Sequence, residues 1–536
     1  MTSFAAVYQM MKRLTEVFDK ITLDDIKDKT CIRDIAQTIK ERYVTPEGYS
    51  FPLMDFQETL FYHSKSFIRN EPTGLSCYII CRTQLKGFFD PACWDKTLNH
   101  IINCHPLLHS ILSEESDKPE MITLPEYPTF KSSYEDITSM NKEQQETFFL
   151  QKDEKDHDHR FDLKEYPLFY CNIYKTGEDE HELIIHIDHQ IIDGFSFFQF
   201  LQELTSTYDQ FIAGKEITVE QEKGLTFSDY VFVERFRRQT KRYQNAMDFA
   251  LKVFKDLPEK ISIPTKCQPS LINKVHFNTL HTELDSLLMN KVLEISSHTS
   301  GICLNSLLMA CYFKLMNLWS GQNDLIINMP VFNREQHLPN AKNIIGSFLD
   351  IFPVRIQTSP QEPIVSIARK IEQFVRTMLE YPISSIELSR KIAEQEGLKQ
   401  SSLSAIIFSN SINMLPKGIS HSSRYLTIGA PKVQTGAPGT YIDLVMYTWE
   451  NKWCFDWNYV RELFDAEYIQ LLSEQFTSML NQLVDDTNTK GYEERSCSNI
   501  LPLFYIKLLE QTNKTEHAYP LKTIYEQISN TVDLYP

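Results

Sequence analysis

Apolar residues recur along the chain in two alternating patterns, one typical of strands and one typical of amphipathic helices. Two strand-length stretches, LSCYIICRTQL (75–85) and ELIIHIDHQII (182–192), are almost continuously apolar. Helix-like segments follow them, DPACWDKTLNHIINC (90–104) and FSFFQFLQELTSTYDQFI (195–212), with apolar residues every three or four positions. Strands that alternate with helices in this way predict an α+β fold.

The same alternation of strand-like and helix-like segments recurs in the second half of the chain. It follows a proline-rich stretch at 256–269, which predicts a connection between two structural units. The strand-like DLIINMPVF (324–332) and TYIDLVMYTW (440–449) belong to this second unit. Because 536 residues are too many for one compact core, the length also favours more than one domain. Residues 1–45 are predicted to be helical.

Composition and charge narrow the class of protein further. Asp and Glu number 71 against 54 Lys and Arg, so the net charge is −17 and the global field opposes binding to nucleic acid. The densest basic stretch, ERFRRQTKR (234–242), is interpreted as the solvated face of a helix. The apolar runs are too short for a membrane span, the N-terminus lacks signal-peptide features, and 11 cysteines without a CxxC pair indicate reduced thiols. We therefore expect a cytoplasmic protein without a membrane partner.

Polar groups interrupt the apolar stretch at 182–192, and they are the main candidates for chemistry. His189 lies at the predicted strand end, and the turn Asp193-Gly194 then opens a helix. Such a turn exposes an imidazole whose ordinary pKa suits general-base work near neutral pH. Asp193 would shape the loop, since a buried carboxylate requires a partner, and Gly194 permits close backbone approach. The spacing alone leaves open that His189 is a satisfied core histidine.

A metal site is a weaker interpretation of the histidines. His157 and His159 could in principle meet His186 and His189, but no Cys or Glu joins them at ligand spacing. We therefore predict no metal, and we expect His186 to be a strand residue.

The stretch DHQIIDGFS (188–196) resembles the HHxxxDG signature of nonribosomal peptide synthetase condensation domains, which belong to the chloramphenicol acetyltransferase-like superfamily. Further motifs of that family follow in its order over roughly residues 50–485. They are FPLMDFQETLFY (51–62), CHPLLHSIL (104–112), FSDYVFVE (227–234), INMPVFNR (327–334) and IIGSFLDIFPVRI (344–356).

The resemblance implies two chloramphenicol acetyltransferase-like lobes in a V-shape around a central tunnel. The implied N-terminal lobe covers 50–225 and the C-terminal lobe 226–487. Residues 1–45 resemble part of a carrier domain, and residues 498–536 resemble the linker and start of an adenylation domain.

The implied activity is that of an acyltransferase that forms amide bonds. Donor acyl and acceptor aminoacyl groups would arrive on the 4'-phosphopantetheine arms of carrier domains, with an adenylation domain adjacent. No tightly bound cofactor is expected, and the chain would act as a monomer. His189 matches the functional histidine of the family, as a base or as a positioner of the amine. Arg334 is the candidate partner of Asp193.

One departure leaves the reaction open, because Asp188 stands where the family has its first histidine. Asp188, Asp193 and Ser196 also match the DxxxxDxxS signature of heterocyclization domains, which condense and then cyclize Cys, Ser or Thr into an azoline. On that reading Ser409 and Asp443 would be the cyclodehydration pair. An inactive or ester-forming member and a non-catalytic docking domain for carriers are the remaining alternatives.

Overall fold

The computed structural model of the chain describes most residues between Ile21 and Asp485. The described ranges are 21–26, 32–45, 48–68, 77–115, 118–217, 225–272, 275–332, 341–380, 382–398, 402–412, 424–436, 439–449 and 452–485, together with positions 14, 18, 20, 334, 525, 528, 529 and 532. The predicted adenylation-like segment at 498–536 lies outside them apart from those last four positions, and so does the start of the predicted carrier-like segment.

Strands and helices alternate along the described chain as the sequence pattern predicts. The strands are β1 (Val44–Thr45), β2 (Gly48–Pro52), β3 (Tyr78–Gly87), β4 (Ser110–Ser113), β5 (Glu120–Thr123), β6 (Ser133–Asp136), β7 (Phe169–Lys175), β8 (Glu180–Asp188), β9 (Phe277–Leu284), β10 (Asp324–Phe332), β11 (Leu349–Gln357), β12 (Ile406–Asn410), β13 (Leu426–Ile428), β14 (Lys432–Gly436), β15 (Ile442–Trp449) and β16 (Lys452–Val460). The α-helices are α1 (Leu23–Ile26), α2 (Ile32–Arg42), α3 (Asp55–Ile68), α4 (Pro91–Cys104), α5 (Lys142–Asp158), α6 (Gly194–Ile212), α7 (Phe227–Arg238), α8 (Lys241–Val253), α9 (Ser286–His298), α10 (Leu304–Ser320), α11 (Ile364–Leu379), α12 (Ser385–Gln395) and α13 (Ala466–Asp485). None of the described helices is both long and apolar enough to cross a membrane.

Two large sheets organise these elements. The first has the order β13-β3-β8-β7-β6, with β14 also paired to β3, and the second has the order β11-β10-β12-β15-β16-β9. A smaller sheet, β1-β2-β5-β4, completes the set. Strands β13 and β14 come late in the chain yet pair antiparallel with β3, so residues 424–436 join the sheet of the N-terminal half. The two halves are therefore connected by backbone hydrogen bonds.

Two apolar cores correspond to the two large sheets. The larger core surrounds helix α10, which is buried along most of its length and packs against β10, β12 and β16. The second core surrounds β8 and α6, and it also contains residues of α7 and of the segment 341–348. A fully buried Leu, Ile or Phe side chain contributes roughly 1.5–3 kcal/mol to stability, so cores of this extent hold each sheet and its helices together.

The basic stretch at 234–242 differs from its prediction as a solvated helix face. Glu234 in α7 is only 3% exposed, and its Oε1 accepts from Arg237 at 2.6 Å. Arg238 pairs with Asp55 in α3 at 2.7 Å. Charge density alone could not reveal these partners, because Asp55 is remote in sequence.

A buried ion pair connects the turn after β8 to the second half of the chain. Asp193 is fully buried and Arg334 is 5% exposed, and the guanidinium donates to the two carboxylate oxygens at 2.8 and 3.1 Å. Asp193 Oδ1 also accepts from the backbone N–H of Ser196 at 2.7 Å and so caps α6. The backbone N–H of Phe348 donates to Oδ2 at 2.9 Å. One carboxylate therefore orders a helix start and two segments about 150 residues away.

The guanidinium of Arg334 is as fully enclosed as the carboxylate. It lies between the rings of Phe195 and Phe348, at 4.6 and 4.1 Å from their centroids. Its NH1 donates to the carbonyl of Ile344 at 2.7 Å. The ion pair is thus hydrogen-bonded on both sides, as a buried pair requires.

We predict that Arg334→Met lowers the free energy of unfolding by about 3–5 kcal/mol, because it leaves Asp193 buried without its cation. The double variant Asp193→Asn, Arg334→Met should recover part of this loss, since the uncompensated charge is then absent. Chemical denaturation of the four proteins in the cycle measures both effects. If the loss in the double variant equals the sum of the losses in the two single variants, Asp193 and Arg334 are not energetically coupled.

Candidate active site

The turn after β8 presents His189 to the interior of the molecule. The backbone N–H of His189 donates to the carbonyl of Cys77 at 3.1 Å, which continues the pairing of β8 with β3 by one residue. The imidazole is buried and packs edge-on against the ring of Phe56, with 5.6 Å between ring centroids. The backbone bond to β3 and the contact with Phe56 of helix α3 together fix the position of the imidazole.

Burial keeps the imidazole of His189 neutral at physiological pH. Desolvation lowers the pKa of His189 to about 4, because the imidazolium has lost its hydration. The charge of Asp193 and the backbone carbonyls of Ile192 and His189 oppose this shift without cancelling it. A neutral ring retains one acceptor nitrogen, so it can hold an N–H group but has a weak affinity for a full proton.

Reciprocal amide contacts fix the loop between His189 and Asp193. Gln57 Nε2 donates to the carbonyl of Gln190 at 2.6 Å, and Gln190 Nε2 donates back to the carbonyl of Gln57 at 2.9 Å. Both side chains are buried. Neither glutamine can be recognised as functional from the sequence, because its one signal is its position in the motifs at 51–62 and 188–196.

Asp188 lies on a different side of the strand from the imidazole of His189. Successive strand side chains alternate, so Asp188 shares a face with His186, which meets the hydroxyl of Tyr170 at 3.0 Å. Asp188 Oδ1 accepts from the backbone N–H of Gln190 at 2.8 Å. Burial raises the pKa of Asp188 to about 7, an effect that this hydrogen bond and the charge of Arg160 only partly oppose.

Ser409 and Asp443 form a second polar group on two neighbouring strands. Strands β12 and β15 run parallel with Ile407 opposite Asp443, and Ser409 Oγ donates to Asp443 Oδ1 at 2.7 Å. Thr435 Oγ1 lies 3.5 Å from Asp443 Oδ2. Burial raises the pKa of Asp443 to about 6, while the two hydroxyl contacts lower it.

One cavity of about 930 Å³ brings most of the candidate residues together. Its walls include His189 and Gly194 from the first half of the chain and Ser409 and Asp443 from the second. Asp188, Asp193 and Arg334 are not in its walls. Concave, mostly apolar cavities with a few converging polar groups are typical of active sites. The predicted residues therefore divide into those that face the cavity and those that lie behind it.

The histidines considered for a metal form no such site in the described part of the chain. There, the single group of three potential ligands is His281, Glu283 and Cys454, on β9 and β16. His281 Nδ1 already meets Asp456 at 2.6 Å, and Glu283 already accepts from Lys452 at 2.6 Å. Both charged members thus have ionic partners within the chain.

Asp188 generates a prediction about stability and pH. Because the pKa of Asp188 is raised in the folded chain, its carboxyl group stays protonated between about pH 4 and pH 7, where the same group in the unfolded chain is ionised. The free energy of unfolding therefore falls as the pH rises through this window. Asp188→Asn keeps the acceptor oxygen and removes this titration. The stability of the variant relative to wild type should rise over that window by up to roughly 4 kcal/mol and stay constant above it.

Chemical denaturation at a series of pH values measures this difference. Asp248→Asn, which changes an exposed carboxylate on α8, is the matched control. A constant offset between Asp188→Asn and wild type at every pH would contradict the raised pKa.

Comparison with known proteins agrees with the family and fold class that the motifs predict. A family model described as "Condensation domain" matches residues 49–499. Bacitracin synthase 1 of Bacillus licheniformis is 24% identical over 442 residues, which cover 81% of this chain and 8% of that protein. The chain thus spans less than a tenth of this relative.

Solved structures show the same mixed α/β fold. The EpoB NRPS cyclization-docking bidomain from Sorangium cellulosum superimposes with a TM-score of 0.72 at 17% identity, and the match covers 87% of this chain and 94% of that one. The first condensation domain of the calcium-dependent antibiotic synthetase, in complex with a substrate analogue, gives a TM-score of 0.70 at 15% identity over 84% and 99% of the two chains. By its motifs, its fold and the family model across most of its length, the chain belongs to the condensation domain family of nonribosomal peptide synthetases.

Proposed function

We propose that the chain transfers a donor acyl or peptidyl group from a carrier-bound thioester to the amine of a carrier-bound acceptor aminoacyl thioester. Condensation domains are acyltransferases in general, and the observation that supports this activity here is the neutral His189 in the wall of a large, mostly apolar cavity. In the step itself, the acceptor nitrogen attacks the thioester carbonyl carbon. A C–N bond forms, the C–S bond breaks and the donor pantetheine sulfur leaves as the thiol.

The low pKa of His189 favours positioning over full proton removal. A base with a pKa of about 4 is a poor acceptor for an ammonium proton at neutral pH, but its free nitrogen can accept a hydrogen bond from the attacking amine. The nitrogen loses its proton as the amide forms, and the departing thiolate is the stronger acceptor. Fixing amine and thioester in one dry cavity can supply about 7–11 kcal/mol of the barrier.

The partners follow from this chemistry. Two carrier domains would deliver the substrates on 4'-phosphopantetheine arms, and no tightly bound cofactor takes part. An adjacent adenylation domain would supply the acceptor amino acid. The domain ranges 1–45, 50–225, 226–487 and 498–536, the V-shape with its tunnel and the monomeric state are part of the same proposal.

We predict that His189→Ala reduces the rate of amide formation by about 10²-fold, because the hydrogen bond that positions the amine is lost. The assay loads both carriers, mixes them with the chain and follows the acceptor-bound product by mass spectrometry. His186→Gln is the matched control, since His186 lies three residues earlier, within β8, and outside the cavity walls.

A thermal melt of both variants separates folding from function. Equal loss of activity in folded His186→Gln and folded His189→Ala would contradict the assignment. No product from wild type with any carrier pair would favour a domain that only docks carriers.

Heterocyclization is the second candidate, and the contact between Ser409 and Asp443 in the cavity wall favours it. After the amide forms, the side-chain oxygen or sulfur of a Ser, Thr or Cys acceptor would attack the new amide carbonyl. This attack closes the five-membered ring and turns the carbonyl oxygen into a hydroxyl group. Loss of that hydroxyl as water, together with the proton on the ring nitrogen, then forms the C=N bond of the azoline. A carboxyl with a pKa of about 6 could accept and return the protons of this step.

We predict that a cyclizing chain gives an acceptor-bound product lighter by one water, and that Asp443→Asn abolishes this loss while the open amide still accumulates. Ser409→Ala should reduce ring closure by at least tenfold if its hydroxyl orients Asp443. Mass spectrometry with Cys, Ser and Thr acceptors decides the point. An open amide from wild type with all three acceptors would assign the chain to amide formation alone.

A further inference from the structure

The walls of the cavity are poor in charge. Large parts of them are apolar, with aromatic and aliphatic side chains such as Phe56, Phe197, Phe198 and Leu403. The uncharged polar members include Asn328 and Asn410. None of the described residues that line the cavity is a lysine or an arginine.

Among the wall residues that the structure describes, three carry an imidazole or a carboxyl group, namely His63, His189 and Asp443. Burial keeps His189 neutral, as described above. Asp443 is a carboxyl itself, so any charge that it carries is negative. His63 is half-buried on α3.

The buried cation next to the turn of His189 already has partners within the chain. Arg334 lies behind the turn of His189, where Asp193 and the Ile344 carbonyl occupy its guanidinium. Arg334 is not one of the described wall residues, so a substrate carboxylate in the cavity does not meet it there. A carboxylate in the cavity would therefore lose its hydration without gaining a counter-ion, and an unpaired buried charge is strongly unfavourable.

We infer that the chain selects substrates whose donor and acceptor side chains inside the cavity are uncharged, and that it excludes acidic side chains. This inference rests on the proposed function and names the substrate class of the same cavity. Apolar side chains replace water against apolar walls at a gain in free energy, and amide or hydroxyl side chains can pair with Asn328, Ser409 or Asn410. Asp443 strengthens the exclusion, because a second carboxylate beside it is repelled.

Isosteric pairs test the role of charge alone. Carriers are loaded with Gln or Glu, with Asn or Asp, and with Leu as the apolar reference, first as acceptor and then as donor. The assays run at pH 8. We expect Leu and the amides to be converted, and the acids to show a kcat/KM at least about 100-fold below that of their own amides.

The outcomes separate this inference from the proposed function. Equal conversion of acid and amide in both the donor and the acceptor position would overturn the inference and leave amide formation intact. Amides as poor as the acids would also overturn it, since size or polarity, and not charge, would then set the limit. No product with any substrate, Leu included, would overturn the proposed function itself.

The variant Asp443→Asn tests the source of the exclusion. Only the ratio of amide to acid conversion within that variant is compared, so a change in its overall rate does not matter. The ratio of amide to acid conversion should be smaller in Asp443→Asn than in wild type if the carboxylate of Asp443 repels acidic substrates. An unchanged ratio would overturn its part in the selection.

Discussion

The buried ion pair between Asp193 and Arg334 is the interaction on which the site depends. It joins the start of α6 to a segment about 150 residues later, and each of its charged groups also bonds to backbone. Because two charges have been taken out of water, the geometry is stable only when both are present. His189 stands four residues before Asp193, so the ion pair fixes the turn that carries the imidazole without touching the cavity.

The polar side chains of strand β8 and of the turn after it point in two different directions. His186 and Asp188 face an interior lined by other aromatic and polar groups, while His189 faces the cavity. The replacement of the family's first histidine by Asp188 therefore lies behind the reacting groups. Its raised pKa affects stability more directly than chemistry. Ser409 and Asp443, by contrast, share the cavity with His189, and on our proposal they are the residues that would decide between amide formation and cyclization.

The fold class and the turn at 189–194 could be predicted from the sequence, because alternating apolar periods and an ordered set of motifs are local signals. The need of a buried carboxylate for a cation predicts an arginine partner for Asp193, and the family resemblance adds Arg334 as the candidate. Other features are not local. The pairing of residues 424–436 with β3 and the burial of Glu234 depend on chain segments far apart in sequence. The lack of lysine and arginine among the described wall residues emerges only when many distant residues are assembled.

Cavity, neutral imidazole and family membership together lead to one central claim, that this chain makes a C–N bond between two carrier-bound substrates. The most direct measurement is the intact mass of the acceptor carrier after wild-type chain is mixed with a loaded donor carrier and a leucine-loaded acceptor carrier. The account predicts that the mass of the acceptor carrier rises by that of the donor acyl group, while the donor carrier returns to its free thiol. An unchanged acceptor mass, with the donor thioester intact or lost only to water, would contradict it.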